Sequence, residues 1–123
     1  MSRLIARLTA TALAVPAVVT ATATQPQVDL TRYTGLAKVI LNSTATGGAG
    51  QTADIKLQHS EDGATWVDVP RGAFAQVTNA GPSLQQLLLN TDSLKKFVRV
   101  ADTMGGSTPT VTRSVVLVGT LAY

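Results

Sequence analysis

Ile55-Lys56-Leu57-Gln58-His59-Ser60-Glu61-Asp62-Gly63-Ala64-Thr65-Trp66-Val67-Asp68-Val69 reads as two alternating segments joined by a tight turn. Asp62 can close that turn on its own backbone, and Gly63 can take a positive φ at little cost. Such a pattern predicts a β-hairpin. Ser60 and Thr65 are placed to bond across the turn. Trp66, the single tryptophan, is expected to lay its ring on the core face and to need one partner for its indole N–H.

Working outward, Asp29 to Gly35 is a loop or single turn leading into a strand at Leu36–Leu41, where Ala37, Val39 and Leu41 share one face. Asn42 to Gln51, with Gly47-Gly48-Ala49-Gly50 inside it, reads as a flexible loop. Beyond the hairpin come a turn at Pro70-Arg71-Gly72, a strand from Ala73 to Thr78 and a turn at Asn79-Ala80-Gly81-Pro82, each break falling where Gly or Pro makes a ladder costly. Ser83 to Leu89 carries leucines at helical spacing but is only strand-length between turn signals, and context decides for a strand. Asn90, Thr91 or Asp92 can cap a single turn through Ser93-Leu94-Lys95. Phe97 to Ala101 is a strand, Met104 to Pro109 a Gly-rich loop, and Thr110 to Val118 the last strand. The sum is all-β: an antiparallel β-sandwich, jelly-roll-like, over 28–123, preceded by an extended N-terminal arm or first strand over 1–27.

The composition limits what this sandwich can do. With 123 residues the chain fits one domain, or a domain with an arm, large enough for a core without staples. It has no cysteine, so disulfides, thiolate metal sites and a cysteine nucleophile are excluded. Charged residues make up only 14%, which leaves a neutral, hydroxyl-rich surface suited to contact with other protein. The net charge of +3 comes from basic residues dispersed between Arg3 and Arg113, with only Lys95 and Lys96 adjacent. A nucleic-acid surface concentrates such charge and interleaves aromatics, so a mildly basic solvated surface is the preferred reading, with no direct nucleic-acid partner.

Met1 to Thr24 has the order of a secretory signal: Arg3 and Arg7, an apolar stretch from Leu8 to Val19, then Ala21-Thr22-Ala23. Thr9, Thr11 and Pro16 dilute the apolar stretch, and no membrane-spanning run of about 20 apolar residues is present. The preferred reading is an ordered arm, since Val18 to Thr22 is β-prone and Gln25-Pro26-Gln27 forces an extended link. It either pairs with its own domain as a first strand or lies on a neighbouring subunit.

No residue set supports catalysis. His59, the single histidine, precedes Ser60 on a strand, so alternation points the two apart and a nucleophile–base pair is sterically awkward. His59 is expected at a surface or an interface. Glu61-Asp62 is an exposed turn, unsuited to the split pKa values of glycoside hydrolysis and short of the converging oxygens a Ca²⁺ ion requires. The expectation is therefore no enzyme: no catalytic, cofactor-binding or metal residues, and no cofactor.

Ser60-Glu61-Asp62-Gly63-Ala64-Thr65-Trp66 is similar to the Asp-box of sialidase-like propellers, one residue short of the usual spacing and present once where propellers repeat it. A wider resemblance runs through Val28 to Gly35, Lys56 to Val69, Phe97 to Val100 and the Gly-rich loop before the final apolar strand. In that order the chain resembles small virion structural proteins of tailed bacteriophages, among them capsid decoration or cement proteins. The resemblance implies a β-sandwich on the capsid surface of the virion. There it bridges neighbouring major capsid protein subunits and associates with copies of itself, for instance as a trimer, with no membrane partner. Candidate contact elements are the arm Met1 to Thr24, the loop Asn42 to Gln51 and the loop Met104 to Pro109. A tail or neck component is the alternative, followed by a secreted carbohydrate-binding or adhesive sandwich, although Tyr33, Trp66, Phe74, Phe97 and Tyr123 are too sparse for a sugar platform.

Overall fold

A computed structural model describes residues 7–122, so the start of the arm, Met1 to Ala6, and Tyr123 lie outside the described residues. Within that range the chain forms two antiparallel sheets. The strands are β1 (Leu8–Val19), β2 (Ala23–Thr24), β3 (Val28–Asp29), β4 (Tyr33–Ser43), β5 (Thr52–Ser60), β6 (Val67–Ala73), β7 (Val77–Thr78), β8 (Ser83–Asn90), β9 (Phe97–Gly105) and β10 (Val111–Leu121). Sheet A has the order β1-β10-β4-β8, and sheet B the order β2-β9-β5-β6, with β3 also on β9 and β7 also on β5. Counting β2 with β3 and β6 with β7 as single interrupted strands leaves the double-sheet order of a jelly roll, as the sequence predicts.

The core follows from alternation. Ala37, Val39 and Leu41 of β4 point inward beside Val115 and Leu117 of β10, and meet Ile55, Leu57, Val98 and Val100 of sheet B. Leu8–Val19 pairs with β10 of its own chain and gives Leu13, Ala14 and Val19 to this core. The register of β1 shifts twice, between Ala12 and Ala14 and between Ala14 and Ala17. Pro16 lies in the second shift, where its missing N–H costs no ladder bond.

One polar feature crosses the core. Arg113 of β10 donates from Nε to Asp102 Oδ1 at 2.9 Å and from Nη2 to Asp102 Oδ2 at 2.7 Å, with both residues almost completely buried. Its remaining arm donates to the Val15 carbonyl at 3.0 Å, and Gln25 Nε2 donates to Asp102 Oδ2 at 3.0 Å. The group ties sheet A to sheet B and holds the irregular part of β1. Arg113 is thus not part of the dispersed surface charge that the sequence implies.

Several local expectations change. Pro70-Arg71-Gly72 does not end a strand: it bulges within β6, which resumes at Ala73 opposite Lys56. Arg71 takes φ +61°, and a Cβ on Gly72 would sit 2.7 Å from Val69 Cβ, so the bulge depends on the glycine. A non-glycine residue held at such a φ costs on the order of 1 kcal/mol. The predicted strand from Ala73 to Thr78 is interrupted over 74–76, where Gln85 of sheet A reaches across and both donates to and accepts from the Ala75 backbone. The strand β9 runs on to Gly105, which shortens the Met104 to Pro109 loop. Ser83–Asn90 is a strand, and among the three possible caps it is Asn90 that accepts from the Asp92 N–H ahead of the 3₁₀ turn Thr91–Ser93.

The hairpin closes through Asp62 rather than through Thr65's hydroxyl. Asp62 Oδ1 accepts from the Ala64 and Thr65 N–H groups, each at 2.9 Å, and from the Ser60 hydroxyl at 2.9 Å. These donors, the Thr65 amide foremost, pull the Asp62 carboxyl down to about 2. Trp66 does not join the core. It precedes β6 on the outer side of sheet B, its indole N–H donating to Gly63 O at 3.2 Å.

His59 is buried, not at the surface, because it shares the inward side of β5 with Ile55 and Leu57, and the Lys95 N–H donates to His59 Nδ1 at 3.1 Å. Burial, reinforced by the Lys95 charge and opposed by Glu61, holds the imidazole below its usual range. A folded-state pKa below the unfolded one means the stabilisation is complete above about 6.5 and is lost as pH falls through the folded value. Stability measured by urea unfolding should therefore decline on acidification below neutrality, and His59→Asn, which keeps an acceptor without titrating, should flatten that decline. An unchanged slope in the variant would show that another group is responsible.

Candidate docking face

The two outer faces of the sandwich differ in chemistry. On sheet B, Lys56 Nζ lies 3.0 Å from Asp68 Oδ2, Gln58 donates to Asp68 Oδ1 at 3.1 Å, and Arg99 Nε donates to Gln58 Oε1 at 2.9 Å. The Arg99 guanidinium also lies over the Trp66 ring, 4.2 Å from its centre. Gln76 bonds both carboxylate oxygens of Asp54 at 3.2 Å. The Lys56 hydrogen bond, then that of Gln58, lowers the Asp68 pKa. This face is polar, and each of these charged groups already has a partner: Lys56 and Asp68 each other, Arg99 Gln58 and Trp66, and Asp54 Gln76.

Sheet A presents the opposite. Its register lines up Ala12, Val116, Ile40 and Gln86 in one outward row and Ala10, Val118, Lys38 and Leu88 in the next. Leu84 faces Asn42 at one end of β8 and Leu36 faces Asn90 at the other. Leu84, Leu88 and Leu36 are 75%, 63% and 61% exposed. Among the described strand residues on this face, Lys38 is the one charged side chain. Between Ile40, Leu84 and Gln86 the face dips into a hollow of about 420 Å³.

Large contiguous apolar surface on a soluble protein marks an interaction site, whereas scattered apolar residues carry no such meaning. Four strands at about 4.8 Å and eight residues at about 3.4 Å give a face of roughly 500 Å² in projection. A stable binary complex buries about 800 Å² per partner. By area this face is one contact among several.

The elements that the sequence nominated behave differently. The loops Asn42 to Gln51 and Met104 to Pro109 do meet, but as a self-contained end cap. Gln51 donates to the Ser107 and Thr108 carbonyls, each at 3.1 Å, and accepts from the Thr110 N–H at 3.2 Å. Gly106, at φ +95°, sits so close to this loop that a Cβ there would lie 2.7 Å from Gly50 O. The described part of the arm is spent on its own chain, as β1 against β10 and β2 against β9. Among the described residues there is no cluster of three or more His, Asp or Glu side chains able to hold a metal ion. Sequence reasoning missed the sheet A face; the signal for it is Leu84 and Leu88 alternating with Leu87 and Leu89 in one uncharged strand.

The chain shares this architecture with proteins of known structure. Structures of infectious bursal disease virus have the same fold. The Gx strain structure superposes with a TM-score of 0.61 at 14% identity, over 94% of this chain and 32% of that one. The Gt strain gives 0.57 at 12%, with the same coverage. A crystal structure of the VP2 subviral particle of that virus gives 0.53 at 14%, again over 94% and 32%. This chain therefore spans about a third of the length of the chains it resembles. At such identity the likeness is one of fold. No family model and no curated protein sequence matches.

Proposed function

We propose that this protein is a non-catalytic structural component of a virus particle, a decoration or cement protein that lays sheet A against neighbouring subunits of the shell and bridges them. The observation that carries this reading is the outer face of sheet A, where Lys38 is the one charge among the described strand residues and Leu36, Leu84 and Leu88 are left in water. Such a face lowers the free energy of the system only when another surface covers it. Its modest area suits a bridging role, because a molecule held at two or more seams gains effective concentration at each later contact and needs no single strong one. The jelly-roll order recurs in viral shells, and the solved structures of similar fold come from a virus and a subviral particle. Fold alone assigns no role; the docking face supplies the physical argument.

The test uses purified particles stripped of the protein. Genome release under heat or osmotic shock should come earlier in stripped than in intact particles, and re-addition should restore the delay. Electron microscopy of the restored particles should place the copies over the shell faces. Equal release in both preparations would overturn cementing, and copies confined to a single vertex would assign the protein to the neck or tail.

A further inference from the structure

Beside the docking face, where β8 leaves sheet A, a cleft of about 390 Å³ opens between β8 and the bulge of β6. Its floor is apolar, made by Val69, Leu89 and Leu94, and the exposed Leu36 and Leu88 lead into it from sheet A. Asn90, Ser93 and Arg71 supply its polar groups, and no acidic residue lines it. Among the described residues no hydrogen bond or ion pair engages the Arg71 guanidinium. On the neighbouring outer face of sheet B, Lys56 is paired with Asp68, and Arg99 with Gln58 and Trp66. Arg71 is also one of only two non-glycine residues at positive φ among the described residues.

We infer that this cleft binds an extended acidic segment of a partner polypeptide, one large apolar side chain entering between Val69, Leu89 and Leu94 while an adjacent carboxylate pairs with Arg71. Three observations converge on that occupant. The volume lies in the range of ligand pockets and accepts one aliphatic or aromatic side chain. A lone guanidinium over an apolar floor matches a carboxylate next to a hydrophobe, whereas a polyphosphate backbone calls for several cations. The run of β8 toward the cleft is a sheet edge, which offers backbone groups to an added extended chain. Residues in strained backbone conformations concentrate at ligand clamps, and a strained bulge that sets a guanidinium in the lining of a cleft fits that use. The inference deepens the docking reading and rests on it: the segment belongs to the shell subunit that covers sheet A.

The experiment selects peptides from a random display library on immobilised protein, then measures affinity for the enriched sequences as synthetic peptides. Enrichment of a large apolar residue next to Asp or Glu is expected. Arg71→Asn, which tolerates the same φ without the charge, should weaken those peptides at least about tenfold. Arg71→Gly should weaken them equally while leaving the melting temperature unchanged or raised, an outcome that a merely structural arginine would not give. Leu84→Glu, at the far end of β8, should leave peptide affinity unchanged while disturbing particle attachment, so the two readings fail separately. Enrichment of basic or purely apolar peptides, affinity indifferent to Arg71, or binding of decanoate in place of any peptide would overturn the inference.

Discussion

Arg113→Met alone should destabilise the fold by about 3–5 kcal/mol, because it strands the Asp102 carboxylate between the sheets with only Gln25 as a partner. A domain of this size has about 5–15 kcal/mol to lose, so the change removes roughly a fifth or more of it. In a thermal melt followed by circular dichroism that corresponds to a fall of roughly 10–20 °C. Asp102→Leu should cost a similar amount, since the guanidinium then loses both short bonds. The double replacement is the informative one. With no charge left in the core it should recover most of the loss, as buried pairs exchanged for apolar groups of similar volume often do. A single-variant loss below about 1 kcal/mol would mean that the pair is hydrated in solution and that the two sheets are held by apolar contact alone.

A carboxylate placed on the sheet A face should abolish attachment and leave the fold intact. Leu84→Glu together with Ala10→Glu changes two exposed outward positions on opposite edge strands. Surface changes of this kind shift stability by about 0.5 kcal/mol or less each. Covering the face, by contrast, would desolvate two unpaired charges, and a penalty of a few kcal/mol weakens binding by at least about a hundredfold. Co-sedimentation with stripped particles measures it. Thr103→Lys, on the outer side of sheet B opposite Asp54, is the matched control and should attach like the unaltered protein. Attachment that survives on sheet A and fails with the sheet B variant would reverse the orientation.

What could be read without coordinates follows a physical boundary. The shared face of Ala37, Val39 and Leu41 was legible because period-two alternation is a local property. So was Asn90 as one of three candidate caps, since an Asx side chain bonds its own backbone nearby. Arg113 was not: a lone arginine in a Thr- and Val-rich strand reads as surface until its partner, eleven residues back on the opposite sheet, is in place. The partner of His59, the Lys95 N–H, likewise lies more than thirty residues away. Pro70-Arg71-Gly72 carries the signals of a strand end and of a bulge alike, and only the resumed pairing of Ala73 with Lys56 separates the two. Trp66 was drawn toward the core by its size, yet the Arg99 guanidinium and the Gly63 carbonyl offered it a place outside. The apolar outer face of sheet A went unseen because β8 has leucines on both sides, and nothing short of the packed second sheet says which pair stays wet.

The two rims of sheet A are unequal. At one, β1 slips register twice around a proline; at the other, β8 runs uninterrupted from Ser83 to Asn90 without a charge. Growth by strand-to-strand joining thus has one usable end. Two molecules meeting there would use it up at once, leaving only the broken rim of sheet A outward, so joining through this sheet stops at two. If copies crowd together as the proposed bridging role requires, that asymmetry would act as a stop signal against runaway stacking.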